Sequence, residues 1–223
     1  MLQVITPTGD RPFAWSLCQK WMQRQTYAGP VVWHVTDDGV TESLVDFSRE
    51  GYELRMHRLA PMNGNSQARN LLYLLKQIDP AYPVVCFEDD DWYSPEWLEV
   101  VARELSRAEL VGEFRARYYN ISSRVGRQLN NSAHASLCST AMRGRAIATF
   151  KRACELSPKF IDLELWRRHR DRHLFGGHRV VGIKGLPGRG GIGMGHSPEM
   201  NGTPDPDLRI LREWIGEDAE AYQ

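Results

Sequence analysis

The sequence predicts an α/β fold, a mostly parallel sheet with helices on both faces. Three observations lead there. Short apolar runs that read as strands alternate with amphipathic stretches of helical length. Several of these runs end in Thr, Asp or Gly, as strands do where they deliver loops to a ligand edge. With 223 residues and 42% apolar side chains, the chain can bury the core of one sizeable domain.

Each element has its own warrant. "LQVITPT" (2–8) reads as a strand, and residues 12–24, opening on Pro12 where a first helical turn tolerates proline, carry apolar side chains at helical spacing. "PVVWHVTDDG" (30–39) is a second strand ending in Asp37 and Asp38, and "YELRMHRL" (52–59) a weaker third. "NSQARNLLYLLKQI" (65–78) has the leucine stripe of a helix behind an Asn or Ser cap, "YPVVCF" (82–87) is a fourth strand, and "PEWLEVVAREL" a following helix. Later, "ASLCSTAMRG" (135–144) reads as a buried strand, "AIATFKRACELS" (146–157) as a short helix, "PKFIDLELWRRHRDR" (158–172) as a loop entering a basic helix, and the tail as a terminal helix.

Composition narrows the function classes. No run approaches the roughly 20 apolar residues of a membrane span, and no charged leader precedes one. Cys18, Cys86, Cys138 and Cys154 lie far apart without a C-x-x-C pair, which speaks against a zinc knuckle or disulfide framework and for reduced thiols in a cytoplasm. The net charge is zero but uneven: Lys+Arg minus Asp+Glu is 8 − 14 = −6 over residues 1–100, 18 − 7 = +11 over 101–189 and 2 − 7 = −5 over 190–223.

"VVCFEDDDWYSP" (84–95) places Glu88, Asp89, Asp90 and Asp91 directly behind a strand. A helix entry needs one or two such charges, since each gains at most about 1 kcal/mol from the dipole. Four repel one another, and a hard divalent cation, Mg²⁺ or Mn²⁺, shared with substrate phosphates relieves that repulsion. The strand ends at Thr6–Asp10, Asp37–Asp38 and Glu88–Asp91 fall on one edge of such a sheet, so they converge on one site. "GIKGLPGRGGIGMGH" (182–196) has glycine at seven of fifteen positions. Its "GRGGIG" fits a dinucleotide fingerprint in letters only, because three prolines follow where that fingerprint needs a helix. A strap closing over a diphosphate, carrying Lys184 and Arg189 and ending in His196, suits it better. His169 and His173 stand at i and i+4, but the glutamate of a zinc helix is missing, and a solvated basic helix is the simpler reading.

The order strand, "TPTGDRP", strand, "TDDG", "ARN", strand, "EDDDWYSPEWL" resembles the nucleotide-sugar half (1–100) of GT-A fold glycosyltransferases, especially family 2, within a single domain whose residues 101–223 form the acceptor half. Their D-x-D signature is matched by Glu88, Asp89 and Asp90, with glutamate in place of the first aspartate. The resemblance implies a UDP-sugar donor, with Asp90 and His196 as metal ligands (His178 in reserve) and Glu88 near the ribose. It implies that Thr6, Pro7, Arg11, Asp37 or Asp38, Arg69 and Asp89 surround the nucleotide. "IDLELW" resembles the segment that supplies the base of inverting transfer, which points to Asp162, with Glu164 as the fallback; a carboxylate suits deprotonation of an acceptor hydroxyl.

The acceptor is read from the basic middle block. Arg115, Arg117, Tyr118, Tyr119, Arg124, Arg127, Arg143 and Arg145 mix guanidinium groups with aromatics, a composition suited to phosphate contact and base stacking. Small phage-type enzymes that glycosylate hydroxymethylated pyrimidines in DNA are similar, so DNA in an infected host cell is one acceptor and a surface glycan the other. A sugar-nucleotide nucleotidyltransferase and a noncatalytic nucleotide-sugar-binding protein are the rival classes.

Overall fold

The computed structural model describes residues 1–191, 193, 196 and 200–223, so Ile192, Met194 and Gly195 of the glycine-rich stretch lie outside the described residues. The first half runs β1 (Leu2–Thr8), α1 (Pro12–Gln23), β2 (Val31–Asp37), β3 (Tyr52–Arg58), α2 (Gln67–Leu74), β4 (Val84–Cys86), β5 (Trp92–Tyr93) and α3 (Trp97–Glu104). The second runs β6 (Leu110–Glu113), β7 (Arg117–Asn120), β8 (Val125–Gln128), β9 (Thr140–Met142), α4 (Arg145–Leu156), α5 (Ile161–Arg168), β10 (Arg172–Phe175), β11 (Val180–Lys184), β12 (Thr203–Pro204) and α6 (Arg209–Ile215).

The large sheet has the order β10-β6-β9-β4-β1-β2-β3, and every pairing in it is parallel except those of β9. Strands from both halves of the chain build it. Alternation along β1 explains the two-sided core: Leu2 and Val4 face Trp15, Trp21 and Met22 of α1, while Ile5 faces Leu71 and Leu74 of α2 and Phe150 of α4. Trp15, Trp21, Trp33, Trp97 and Trp166 are fully buried. The small sheet, β12-β8-β7-β11-β5, packs at the ligand edge. No described helix is long and apolar enough to cross a membrane.

Three expectations change. The strand expected over 135–144 shrinks to β9, because Leu137–Ser139 form a 3-10 turn at the ligand edge. The basic helix ends at Arg168: His169 is extended and His173 lies in β10, so the two do not share a helix face; they reach different carboxylates, Glu109 and Glu104. Gly182 and Lys184 belong to buried β11 rather than to a loop.

Candidate functional site

The carboxylates occupy the crossing between the two sheets. Phe87 N–H bonds to Ile5 O (3.1 Å), extending the β1–β4 pairing, and after only residues 88–91 the chain enters β5, where Trp92 and Tyr93 pair with Val181 and Val180. Four acidic residues are thereby packed into one turn, and each has a different environment.

Asp89 accepts from Thr8 Oγ1 (2.7 Å) and Arg11 Nη1 (2.9 Å). Asp90 Oδ1 accepts from Lys184 Nζ (3.2 Å), while its Oδ2 faces Arg11 Nη1 (3.5 Å) and His196 Nε2 (3.4 Å). Asp91 Oδ1 takes the Ile183 N–H (2.9 Å) and Lys184 Nζ (2.7 Å), and its Oδ2 is buried with no partner among the described residues. Glu88 accepts from Gln67 Nε2 (2.5 Å), and its own N–H donates to the Tyr93 hydroxyl. Part of the neutralisation expected of a bound cation is thus supplied by the chain itself, through Arg11 and Lys184, partners that lie far from the cluster in sequence.

Electrostatics separate the acids further. Burial alone would raise Asp90, but Lys184 and Arg11 outweigh it and hold the carboxyl down at about 2. Burial and then Asp91 push Glu88 well up; burial, with Asp90 adding to it, lifts Asp91 to about 6 despite Lys184. His196 is lowered to about 4 by burial and then Lys184, so its imidazole is neutral at pH 7. An ionised Asp90 and a neutral His196, both on the cavity wall, form a hard oxygen and a nitrogen donor that fit Mg²⁺ or Mn²⁺ with water and phosphate completing the shell. Glu88, Asp91 and Cys138 also gather ligand atoms within 4.8 Å of one another, but they fit poorly: burial pushes both the Glu88 carboxyl and the Cys138 thiol well up and so favours their protonated forms.

A cavity of about 200 Å³ opens in front of the cluster. Of the residues singled out from the sequence, Pro7, Arg11, Glu88, Asp89, Asp90, Asp162, Lys184, Arg189 and His196 line it. Four others stand back. Thr6 is buried, donating to Phe87 O (2.6 Å) and accepting from Trp33 Nε1 (2.8 Å). Asp37 shapes its own turn through the Gly39 and Ser43 N–H groups and pairs with Arg58. Asp38 is fully buried between Arg69 (2.9 Å) and Arg189, and although burial pushes its carboxyl up, hydrogen bonds from Arg189, Ser66 and Asn70 hold it below the usual range. The fallbacks lie elsewhere: Glu164 is tied to Arg167 and Arg168 on the surface, and His178 is not on the cavity wall.

Asp162 sits in the first turn of α5, next to the cavity-lining Ile161, and burial raises its carboxyl above the usual range. The glycine-rich segment is stapled over the β1–α1 turn: Arg189 N–H bonds to Asp10 O (2.9 Å), and Arg11 Nε donates to Arg189 O (2.6 Å). Gly188 makes that approach possible, with φ of +106° and a Cβ position only 2.5 Å from Asp10 O. Gly9 plays the same part against Asp38, where a Cβ would lie 2.6 Å from Oδ1.

Sequence reasoning missed Thr8, Ser66, Gln67, Asn70, Leu137 and Ile161 as wall residues. Thr8 could have been found from alternation, since it shares a strand face with Thr6 and lies one step beyond the buried position. Tyr119, offered as a stacking residue, is buried in the core with its hydroxyl on Asp205 Oδ2 (3.0 Å) and cannot meet a base.

No family model matches the sequence, and no curated protein matches it. Solved structures do. S. aureus TarS superposes with a TM-score of 0.62 at 13% identity, over 82% of this chain and 36% of that one. Its 1–349 fragment in complex with UDP gives 0.63 at 13% identity, covering 82% and 60%, and the same fragment with UDP-GlcNAc gives 0.58 at 14%, covering 85% and 59%. The chain therefore spans about a third of the full TarS chain and three fifths of the fragment. At such identities the likeness is one of fold: a mixed α/β architecture with a mostly parallel, helix-flanked sheet of the GT-A type.

Proposed function

We propose that this protein is a glycosyltransferase that moves a sugar from a UDP-sugar to an acceptor hydroxyl, with inversion and with Mn²⁺ or Mg²⁺. The observation that carries the reading is the meeting in one cavity of Asp90 and His196, the cations Arg11, Lys184 and Arg189, and the desolvated Asp162. The likeness to TarS, solved with UDP and with UDP-GlcNAc, supports the donor class.

In this reading Asp90 and His196 would hold the cation, whose charge would offset that of the donor's diphosphate. Arg189 leaves Asp38 for the diphosphate, and Arg11 and Lys184 keep the carboxylate turn fixed. Asp162 accepts the proton of the acceptor hydroxyl as its oxygen bonds to the anomeric carbon; the carbon–oxygen bond to UDP breaks, and that electron pair leaves with UDP. A raised carboxyl pKa strengthens Asp162 as a base. The four cysteines are free and buried, in keeping with a reducing cytoplasm.

The test is UDP release from a panel of UDP-sugars with Mn²⁺, using two acceptor sets: saccharides and polyols, and hydroxymethylcytosine DNA. Metal-dependent UDP release that rises with one acceptor supports transfer. Pyrophosphate formation would point to a nucleotidyltransferase, and binding without turnover to a noncatalytic protein; either sinks the reading.

A further inference from the structure

We infer that Tyr118 is an acceptor-binding residue whose ring forms the wall on which the carbon face of a sugar or polyol acceptor lies, beside Asp162. The inference rests on the glycosyl-transfer reading and adds the acceptor's chemistry.

Tyr118 lies in β7, is half-buried, and lines the cavity together with Leu137, Ile161 and Asp162. Two contacts fix its ring. The hydroxyl and Ser136 Oγ are hydrogen-bonded at 2.6 Å, and beside the ring lies Gly182 of β11, where a Cβ would stand only 2.4 Å from the aromatic carbons. Any larger residue at 182 would displace the ring. An aromatic held in this way offers a flat apolar surface without the entropic cost of ordering it on binding. Leu137 and Ile161 extend the apolar surface, while Asn65, Gln67 and Asp162 supply polar groups on the same cavity wall. Saccharides and polyols present this combination, with C–H groups on one face and hydroxyls at the rim.

The alternative acceptor, a base flipped out of DNA, arrives with phosphates on either side and needs cations at the rim. Among the described residues the cations on the cavity wall are Arg11, Lys184 and Arg189, each paired with a carboxylate, and Lys159; none of the six arginines of the basic block is there. Arg143 donates to Leu105 O (2.7 Å), Arg145 pairs with Glu109 (3.3 Å), Arg124 caps Pro206 O, and Arg117 lies over Trp214. Tyr118 is the one member of the eight-residue set on the cavity wall, which it shares with Asp162.

The experiment has three arms on the full chain. UDP binding by the wild type is measured first by calorimetry with Mn²⁺; no binding would sink the donor reading before any acceptor is added. Donor and acceptor KM are then measured for wild type, Tyr118→Ala and Tyr118→Phe with the saccharide, polyol and hydroxymethylcytosine DNA sets. Tyr118→Ala is expected to raise the acceptor KM about tenfold with donor KM within about twofold, and Tyr118→Phe, which keeps the ring, to stay within about threefold of wild type. Should the alanine variant not fold, Tyr118→Leu supplies apolar bulk without a flat face and is expected to show the same acceptor defect. An unchanged acceptor KM in a folded variant, equal movement of both KM values, or turnover confined to DNA would overturn the inference while leaving UDP binding intact.

Discussion

Lys184→Met is the most informative single change, because it removes the buried ammonium that holds the carboxylate turn together. Nζ lies 3.2 Å from Asp90 Oδ1 and 2.7 Å from Asp91 Oδ1, and the residue is only 7% exposed. Methionine nearly fills the same space, so the cavity contribution is small and the effect is electrostatic. Lys184 and then Arg11 hold Asp90 down at about 2 against an ordinary 3.8, a difference worth roughly 2 kcal/mol of stability at neutral pH. That stability is complete above the ordinary value and is lost as pH falls through about 2. Removing Lys184 takes its share away and leaves Asp91, already raised to about 6, beside a second carboxylate. Breaking a buried pair from one side typically costs about 3–5 kcal/mol, which is the loss expected at pH 8.

The sign then makes the test specific. In the variant Asp91 loses the ammonium that opposes its burial and rises further, while Asp90 still faces Arg11, so the fold binds a proton at Asp91 that the unfolded chain releases and its stability falls as pH rises through that carboxyl's range. Urea unfolding of both proteins at pH 8 and pH 5 measures this. The deficit should be clearly smaller at pH 5, by about half. A deficit under about 1 kcal/mol at pH 8, or one that is the same at both pH values, refutes the bridging role.

Other expectations follow from separate parts of the molecule. Asp162→Asn should lower kcat by about 10²- to 10⁴-fold with UDP affinity unchanged; full turnover by the variant removes Asp162 as the base. His34 is buried on β2 with Nδ1 3.4 Å from His57 Nε2, and burial followed by His57 lowers it to about 4. His34 should therefore cost the fold nothing above about pH 6.5 and up to about 3 kcal/mol as pH falls toward 4, a slope that His34→Gln should flatten in thermal unfolding. Gly188→Ala places a Cβ against Asp10 O at a positive φ and should weaken UDP binding at least fivefold while moving the melting temperature by only a few degrees. A variant that binds UDP as well as wild type would show that the staple over the β1–α1 turn does not matter.

The β1–β4 part of the main sheet was legible because its signals are strong and local, whereas β6 and the edge strand β10, "LVGE" and "RHLF", were not read. Leu2 and Val4 against Ile5, and the leucines of 67–74, settle strand and helix by period alone. The small sheet was not legible. Its strands "RYYN" and "VGRQ" are short and each carries an arginine, and burial there comes from distant partners such as Asp205 for Tyr119, 86 residues away. The carboxylate turn was read correctly as a concentration of charge, but its counter-ions were not. Nothing near Lys184 in sequence announces a strand that ends inside the site, since its acidic partners lie 93 and 94 residues away. Thr6 and Asp37 look like ligand residues because they sit at strand ends, yet both spend their hydrogen bonds on holding the edge in shape.

In the proposed function Asp90 and His196, with a divalent cation, would form the half of the cavity that receives a nucleoside diphosphate. Calorimetric titration of UDP into wild type and Asp90→Asn, with Mn²⁺ and with a chelator, tests it most directly. Wild type is expected to bind UDP at least tenfold more tightly with Mn²⁺, and Asp90→Asn to lose this metal dependence while remaining folded. Equal UDP affinity with and without the metal, or an Asp90→Asn variant that keeps the full metal effect, would contradict it.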